Sequence, residues 1–257
     1  MAADRMSADW RLRWAFPALG HVPTVLPWRI VHWLGRDTST TRRQTEEFLR
    51  QRFCRVFPGA TDAQHQQWAR AHLNMLATEM LDAMALHRLG MPGGPRITLQ
   101  GWEHVQALQQ KQQGFILVLN HFDRLLTSAI ALAHRGLTLH IVTMPVVDNP
   151  ALSAAQRDFI LRKIAALKKI TKGQWRISSE SLRPVHQGLR KGQAWVILAD
   201  AWSPDFAHMR KHAFLGGQLS LPTGIERLAE STGAALLHAS TRSLAPDRLE
   251  VEVEALP

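Results

Sequence analysis

Five apolar residues in succession, Phe115 to Leu119, stop abruptly at a polar cluster of Asn120, His121, Asp123 and Arg124. A run of that length without alternation predicts a strand buried on both faces. A helical pattern opens after it, near Leu125. A second such run, Ala194 to Ala199, ends at Asp200. Between and around these runs the pattern switches repeatedly. Strands are predicted at Arg96–Gln100, Phe115–Asn120, Leu137–Met144, Ala194–Ala199, Ala234–Thr241 and Arg248–Val253, with a short strand or turn at Trp175–Ser178. Helices are predicted from Gly101 to Lys111, from Leu125, near Ser153–Lys169, at Leu182–Arg190 and at Leu221–Ser231. That alternation predicts an α/β fold, a mainly parallel sheet with helices on both faces. Arg248–Val253 alternates polar and apolar positions and is expected at the sheet edge.

Upstream, Thr41–Phe53 and Asp62–Leu89 carry apolar residues at helical spacing, among them Leu73, Leu76, Met80, Leu81 and Met84. The methionines read as core filling. Gly90-Met-Pro-Gly-Gly-Pro95 is the clearest breaker in the chain. The expected organisation is a membrane-interface amphipathic segment over 1–40, a helical extension over 41–90 and an α/β core over 96–257, within one globular body.

With 257 residues, 46% of them hydrophobic, the chain is long enough to bury a sizeable core. Its formal net charge of +10 points to nucleic acid, an anionic membrane or an acidic substrate. No nucleic-acid-binding motif is present, so no nucleic-acid partner is expected. Of nine tryptophans, Trp10, Trp14, Trp28 and Trp33 fall near the start. Two readings stand for them: Pro27–Gly35 is an amphipathic helix lying among lipid headgroups, or the rings cap the core. A spanning helix needs about 20 mostly apolar residues. Trp14–Gly35 is interrupted by Pro17, His21, Pro23, Pro27, Arg29 and His32, and no signal-peptide pattern is recognised. The single cysteine, Cys54, excludes an intrachain disulfide and reads as a half-buried helical residue. No His/Cys cluster has metal-ligand spacing, and no G-x-S-x-G elbow is present. Neither a metal nor a cofactor is expected.

Ligands bind at the carboxyl ends of strands in open α/β sheets, and His is suited to general-base work near neutral pH. His121 is therefore the candidate base. Asp123, two residues on, has three readings: it orients His121, pairs with Arg124, or caps the helix at Leu125. Arg124 is a candidate substrate-binding residue. Arg162, Lys163, Lys168, Lys169, Lys172 and Arg176 make a basic stretch with two readings: a surface for an acidic carrier protein or anionic lipid, or a solvated helix face. His134, His186 and His238 read as structural, and His212 is given no role.

The order of signals after Asp200 is more specific than any one residue. A strand-end acid is followed by a Phe214-Leu-Gly216 turn, a Pro222-Thr-Gly224 helix start, an amphipathic helix and a Gly233-capped return to a strand. Arg42-Arg43 through Phe57-Pro58, Gly101-Trp-Glu103-His and Leu182–Gly192 add further matches. This order resembles the lysophospholipid acyltransferase superfamily, closest to the lipid A late acyltransferases. The resemblance implies transfer of a fatty-acyl chain from an acyl carrier protein or CoA thioester to a hydroxyl or amine of a lipid or glycolipid. It implies a peripheral place on the cytoplasmic face of the inner membrane, although an N-terminal anchor usual in relatives is not matched. It also implies substrate-binding roles for Asp200, Phe214 and Gly216, and for an Arg before the Leu182 helix, where Lys169, Lys172 and Arg176 stand. The superfamily pairs its His with an acid five residues on. Here that position is Leu126, so Asp123 is the expected substitute, and a non-catalytic acyl-chain or carrier-protein binder is the alternative.

Overall fold

In the computed structural model, residues 10–34, 40–201 and 206–257 are described, excluding the side chains of 33, 34 and 40–42. Expectations that fall on Trp33, Gly35 and the Arg42 side chain lie outside the described residues. The helical N-terminal part comprises a wide turn at Arg11–Ala15, α1 (Phe16–Gly20), α2 (Leu26–Leu34), α3 (Thr40–Val56) and α4 (Asp62–Met84). A capping box opens α4: the Gln64 N–H donates to Thr61 Oγ1 at 3.3 Å, and the Thr61 N–H donates to Gln64 Oε1 at 2.8 Å.

The remainder alternates: β1 (Arg96–Gln100), α5 (Trp102–Gln110), β2 (Phe115–Leu119), α6 (Leu126–His134), β3 (Leu139–Thr143), α7 (Ala154–Thr171), β4 (Lys172–Ile177), α8 (Arg183–Arg190) and β5 (Ala194–Leu198). Then come β6 (Met209–Phe214), β7 (Gly217–Pro222), α9 (Gly224–Thr232), β8 (Ala235–Ala245) and β9 (Arg248–Ala255). Seven strands form one sheet in the order β1-β9-β8-β2-β5-β3-β4. Its pairs are parallel except β8–β9. The mainly parallel sheet expected from the alternation is therefore present.

All five residues of β2 are buried, as the unbroken apolar run requires. Phe115, Leu117 and Leu119 face one core with α6, whereas Ile116 and Val118 face the other with Val185 of α8 and Leu228 of α9. Helices thus cover both faces. A third cluster joins Phe16, Trp28 and Leu81 of the N-terminal helices to Ile130 of α6 and Leu167 of α7. The N-terminal helices therefore share a core with the sheet.

Three sequence expectations are corrected. The strand at Arg248–Ala255 lies between β1 and β8, and the edges are β1 and β4. Its alternation arises because Leu249, Val251 and Val253 are buried while the intervening residues point to a barer face. Residues 209–222 form a two-stranded hairpin rather than a turn leading straight into a helix, and α9 begins at Gly224. Cys54 is exposed on α3, not half-buried.

The N-terminal tryptophans divide. Trp28 is 0% exposed and donates its indole N–H to Asp82 Oδ1 at 2.7 Å, so for it the core reading holds. Trp10 and Trp14 are exposed. Among the described residues, no helix is long and apolar enough to cross a membrane.

Candidate active site

The register between two central strands builds the site. β2 and β5 are parallel neighbours with Phe115 opposite Ala194 and Leu119 opposite Leu198. Both chains leave the sheet at the same height, and the Ala199 N–H still donates to Leu119 O at 2.9 Å. Two residues beyond each strand come His121 and Asp200. His121 Nδ1 lies 3.0 Å from Asp200 Oδ1, and the His121 backbone N–H donates to Asp200 Oδ2 at 2.7 Å. A carboxylate only accepts, so Nδ1 carries the proton and Nε2 is left as an acceptor. The imidazole is 62% exposed and therefore reachable. The chain moves from β2 to β3 on one side and from β5 to β8 on the other. The pair thus sits at a topological switch point, where α/β sheets bind ligands.

A cavity of about 1140 Å³ opens beside this pair. That slightly exceeds the usual small-molecule range of roughly 300–1,000 Å³. Its lining is mostly apolar and comes from both sides of the sheet: Leu126, Ala129, Ile164 and Leu167 on the α6–α7 side, Ile225 and Leu228 on the α9 side. Leu126, at the position where the superfamily carries an acid, belongs to this wall and packs against the core.

Asp123 does not meet His121. Its Oδ2 accepts the Ser243 N–H at 2.6 Å and its Oδ1 accepts the Ser243 hydroxyl at 2.8 Å. The backbone at Asp123 is left-handed, φ 46°, which swings the carboxylate away toward the end of β8. It does not cap α6 either, whose N-cap is Leu125 without a side-chain bond. Arg124, expected at the substrate, is 2% exposed. Its Nε and Nη2 grip both oxygens of Asp82 at 2.5 and 2.6 Å, and its Nη1 donates to Pro246 O at 3.0 Å. Sequence separation hid this pairing, because Asp82 is 42 residues earlier on α4.

Of the basic stretch, Lys163 lines the cavity, whereas Lys169, Lys172 and Arg176, the expected substrate-binding cations, lie apart from it. Lys169 and Lys172 are exposed at the end of α7 and the start of β4. Arg176 donates to Gln174 Oε1 at 3.4 Å and faces Glu180 at 3.9 Å. None of the three is among the lining residues, and neither are Phe214 and Gly216, which form the outer turn of the hairpin. The cations that do line the cavity are Lys163 and Arg227, with His186 and His208. His186, read as structural from the sequence, stands 3.4 Å from Ser231 Oγ. Sequence reasoning missed Glu79. It shares a face of α4 with Asp82, one turn later. Burial pushes its carboxyl above the ordinary value, with Lys163 and then His121 acting in the opposite sense. Burial likewise lowers Lys163, against the pull of Glu79. Among the described residues, no group of three His, Cys, Asp or Glu is placed to hold a metal ion.

An exposed imidazole, a carboxylate bonded to its Nδ1, and a mostly apolar cavity beside both are parts that acyl transfer to a hydroxyl or amine could use. The sequence model of the bacterial lipid A biosynthesis acyltransferase family matches residues 5–247. No curated protein matches the chain.

Proposed function

This chain belongs to the bacterial lipid A biosynthesis acyltransferase family, whose reaction is in general acyl transfer to a lipid acceptor, and from that premise we propose its specific chemistry. The reaction is transfer of a fatty-acyl group from an acyl carrier protein thioester, or less favourably acyl-CoA, to a hydroxyl or amine of a lipid or glycolipid. His121 is the base and Asp200 the acid that orients it, the role first expected of Asp123. Nε2 takes the acceptor proton as its oxygen or nitrogen attacks the thioester carbonyl. A tetrahedral oxyanion forms, then collapses with cleavage of the C–S bond, and the leaving thiolate takes the proton back from His121. Lys163 and backbone N–H groups at the strand ends are assigned to the developing negative charge. The apolar cavity holds the acyl chain, and the work is done peripherally at the cytoplasmic face of the inner membrane.

The observation that carries this reading is the doubly bonded His121–Asp200 pair at the mouth of the cavity. A binder without turnover draws on one feature, the apolar Leu126 in the cavity wall. The test is to incubate the purified full chain with labelled acyl carrier protein or acyl-CoA and a membrane lipid extract, then to identify products by mass spectrometry. An acylated lipid that depends on the protein supports the proposal. Saturable acyl-chain binding with no transfer from either donor replaces it with the binder.

A further inference from the structure

Among the described residues, the hairpin of β6 and β7 pairs only with itself and stands outside the main sheet. Its register sets Arg210 opposite Leu221, His212 opposite Leu219 and Phe214 opposite Gly217. Partners across a ladder share a face, and so do residues two apart along a strand. One face therefore carries Phe214, Leu219 and Leu221, interleaved with Arg210 and His212. The other carries Met209, Lys211, Ala213, Gln218 and Ser220. Phe214 and Leu215 are 55% and 50% exposed, so among the described residues nothing covers the apolar side chains at the tip.

The tip itself is unusual. Leu215 and Gly216 both have positive φ, 48° and 76°, the pattern of a two-residue hairpin turn that favours Asn-Gly. A large apolar side chain stands at the position where Asn or Gly is less strained. At its base the hairpin is rooted in the cavity rim, since His208 and Pro222 both line the cavity. Exposed Val146 and Leu182 line the same cavity, and exposed Phe122 follows the lining residue His121 in the chain.

We propose that this amphipathic hairpin inserts its Phe214–Leu215 tip into an anionic lipid bilayer and so sets the cavity mouth against the membrane surface. The proposal rests on the lipid-acceptor reading only for its purpose, not for its physics. The segment Met209–Pro222 has no acidic residue. Its Arg210 is paired with Glu226 of α9 at 2.9 Å, whereas Lys211 is exposed, and the chain as a whole is +10. Anionic headgroups complement that charge. A tip with one protruding ring, Phe214, and the exposed Leu215 beside it fits a bilayer, which deforms around it, whereas a protein partner would need a matching pocket.

In the full chain with Cys54→Ser, Leu215→Cys is labelled with an environment-sensitive fluorophore. Vesicles of phosphatidylglycerol and phosphatidylethanolamine should shift its emission to the blue, and lipid-borne nitroxides should quench it. In an unlabelled chain, Phe214→Ser with Leu215→Asn should weaken the vesicle Kd by at least about tenfold, as expected from losing two buried apolar side chains. Asn suits the turn, so the melting temperature should hold. A label that stays water-like on vesicles, or a double variant that binds them like the parent, overturns the proposal. So does a label that responds to an acidic carrier protein and not to vesicles. None of these readouts needs turnover, so a bilayer-inserted hairpin in a chain without transfer activity would refute the acyltransferase chemistry alone.

Discussion

Asp200 receives His121 twice, from the backbone N–H at 2.7 Å and from the ring Nδ1 at 3.0 Å. One carboxylate thus fixes the position, the tautomer and the orientation of the imidazole. Asp200→Asn should disturb the tautomer while keeping the size. Its expected effect is a fall in kcat of roughly 10²–10⁴ with a small change in melting temperature. Steady-state kinetics beside calorimetry checks both.

In this account Asp123 acts as a latch, since it meets Ser243 and not His121. It ties the turn after β2 to Ser243 through two hydrogen bonds. Asp123→Ala removes both and leaves alanine in a left-handed conformation, at a cost of about 2–4 kcal/mol. Asp123→Asn keeps an acceptor and tolerates that backbone, so it should lose less stability and retain most activity. Urea unfolding of the two variants measures the difference. Equal stability in all three proteins would contradict the latch.

The Asp82–Arg124 pair is buried, and Trp28 shares its carboxylate. Arg124→Met leaves Asp82 without its main countercharge and should destabilise by about 3–5 kcal/mol. A mild loss of stability with a large rise in KM would instead restore the substrate-binding role that the sequence suggested for Arg124.

Glu79 makes stability pH-dependent. Burial raises its carboxyl above 4.5, and Asp82 and Asp123 add to that rise, against Lys163 and His121. From pH 4.5 up to the raised value, the folded state therefore holds more protons than the unfolded state. Stability from this group is present below that window and falls as pH rises through it. Glu79→Gln should remove the slope, so the variant gains on the parent as pH increases across the window. Urea titrations at successive pH values read this directly, and a difference between the two proteins that does not change with pH would contradict it.

Much of this site was legible in the sequence. Phe115–His121 and Ala194–Asp200 are both buried runs with a polar residue six positions after their first, and in-register parallel pairing turns that equality into contact. What the sequence does not show is that β2 and β5 are neighbours. Asp123, nearer along the chain, was therefore the expected partner until its left-handed backbone turned it toward Ser243. Arg124 looked available because Asp82 lies on a distant helix. The hairpin has no strand pattern in the sequence, because Arg210, Lys211 and His212 in succession break the alternation of Met209–Phe214, and its turn uses Leu215 in place of the usual Asn. Glu79 gave no signal at all, since only the folded chain brings α4 toward the turn after β2.

The most direct test of the account is the transfer rate of purified His121→Ala beside the parent, with the same acyl carrier protein thioester and lipid extract. His121 is exposed and outside the packed core, so stability should change by no more than about 1–2 kcal/mol. The account predicts transfer in the parent and none above background in a variant that remains folded. Parent-level transfer by folded His121→Ala would contradict it.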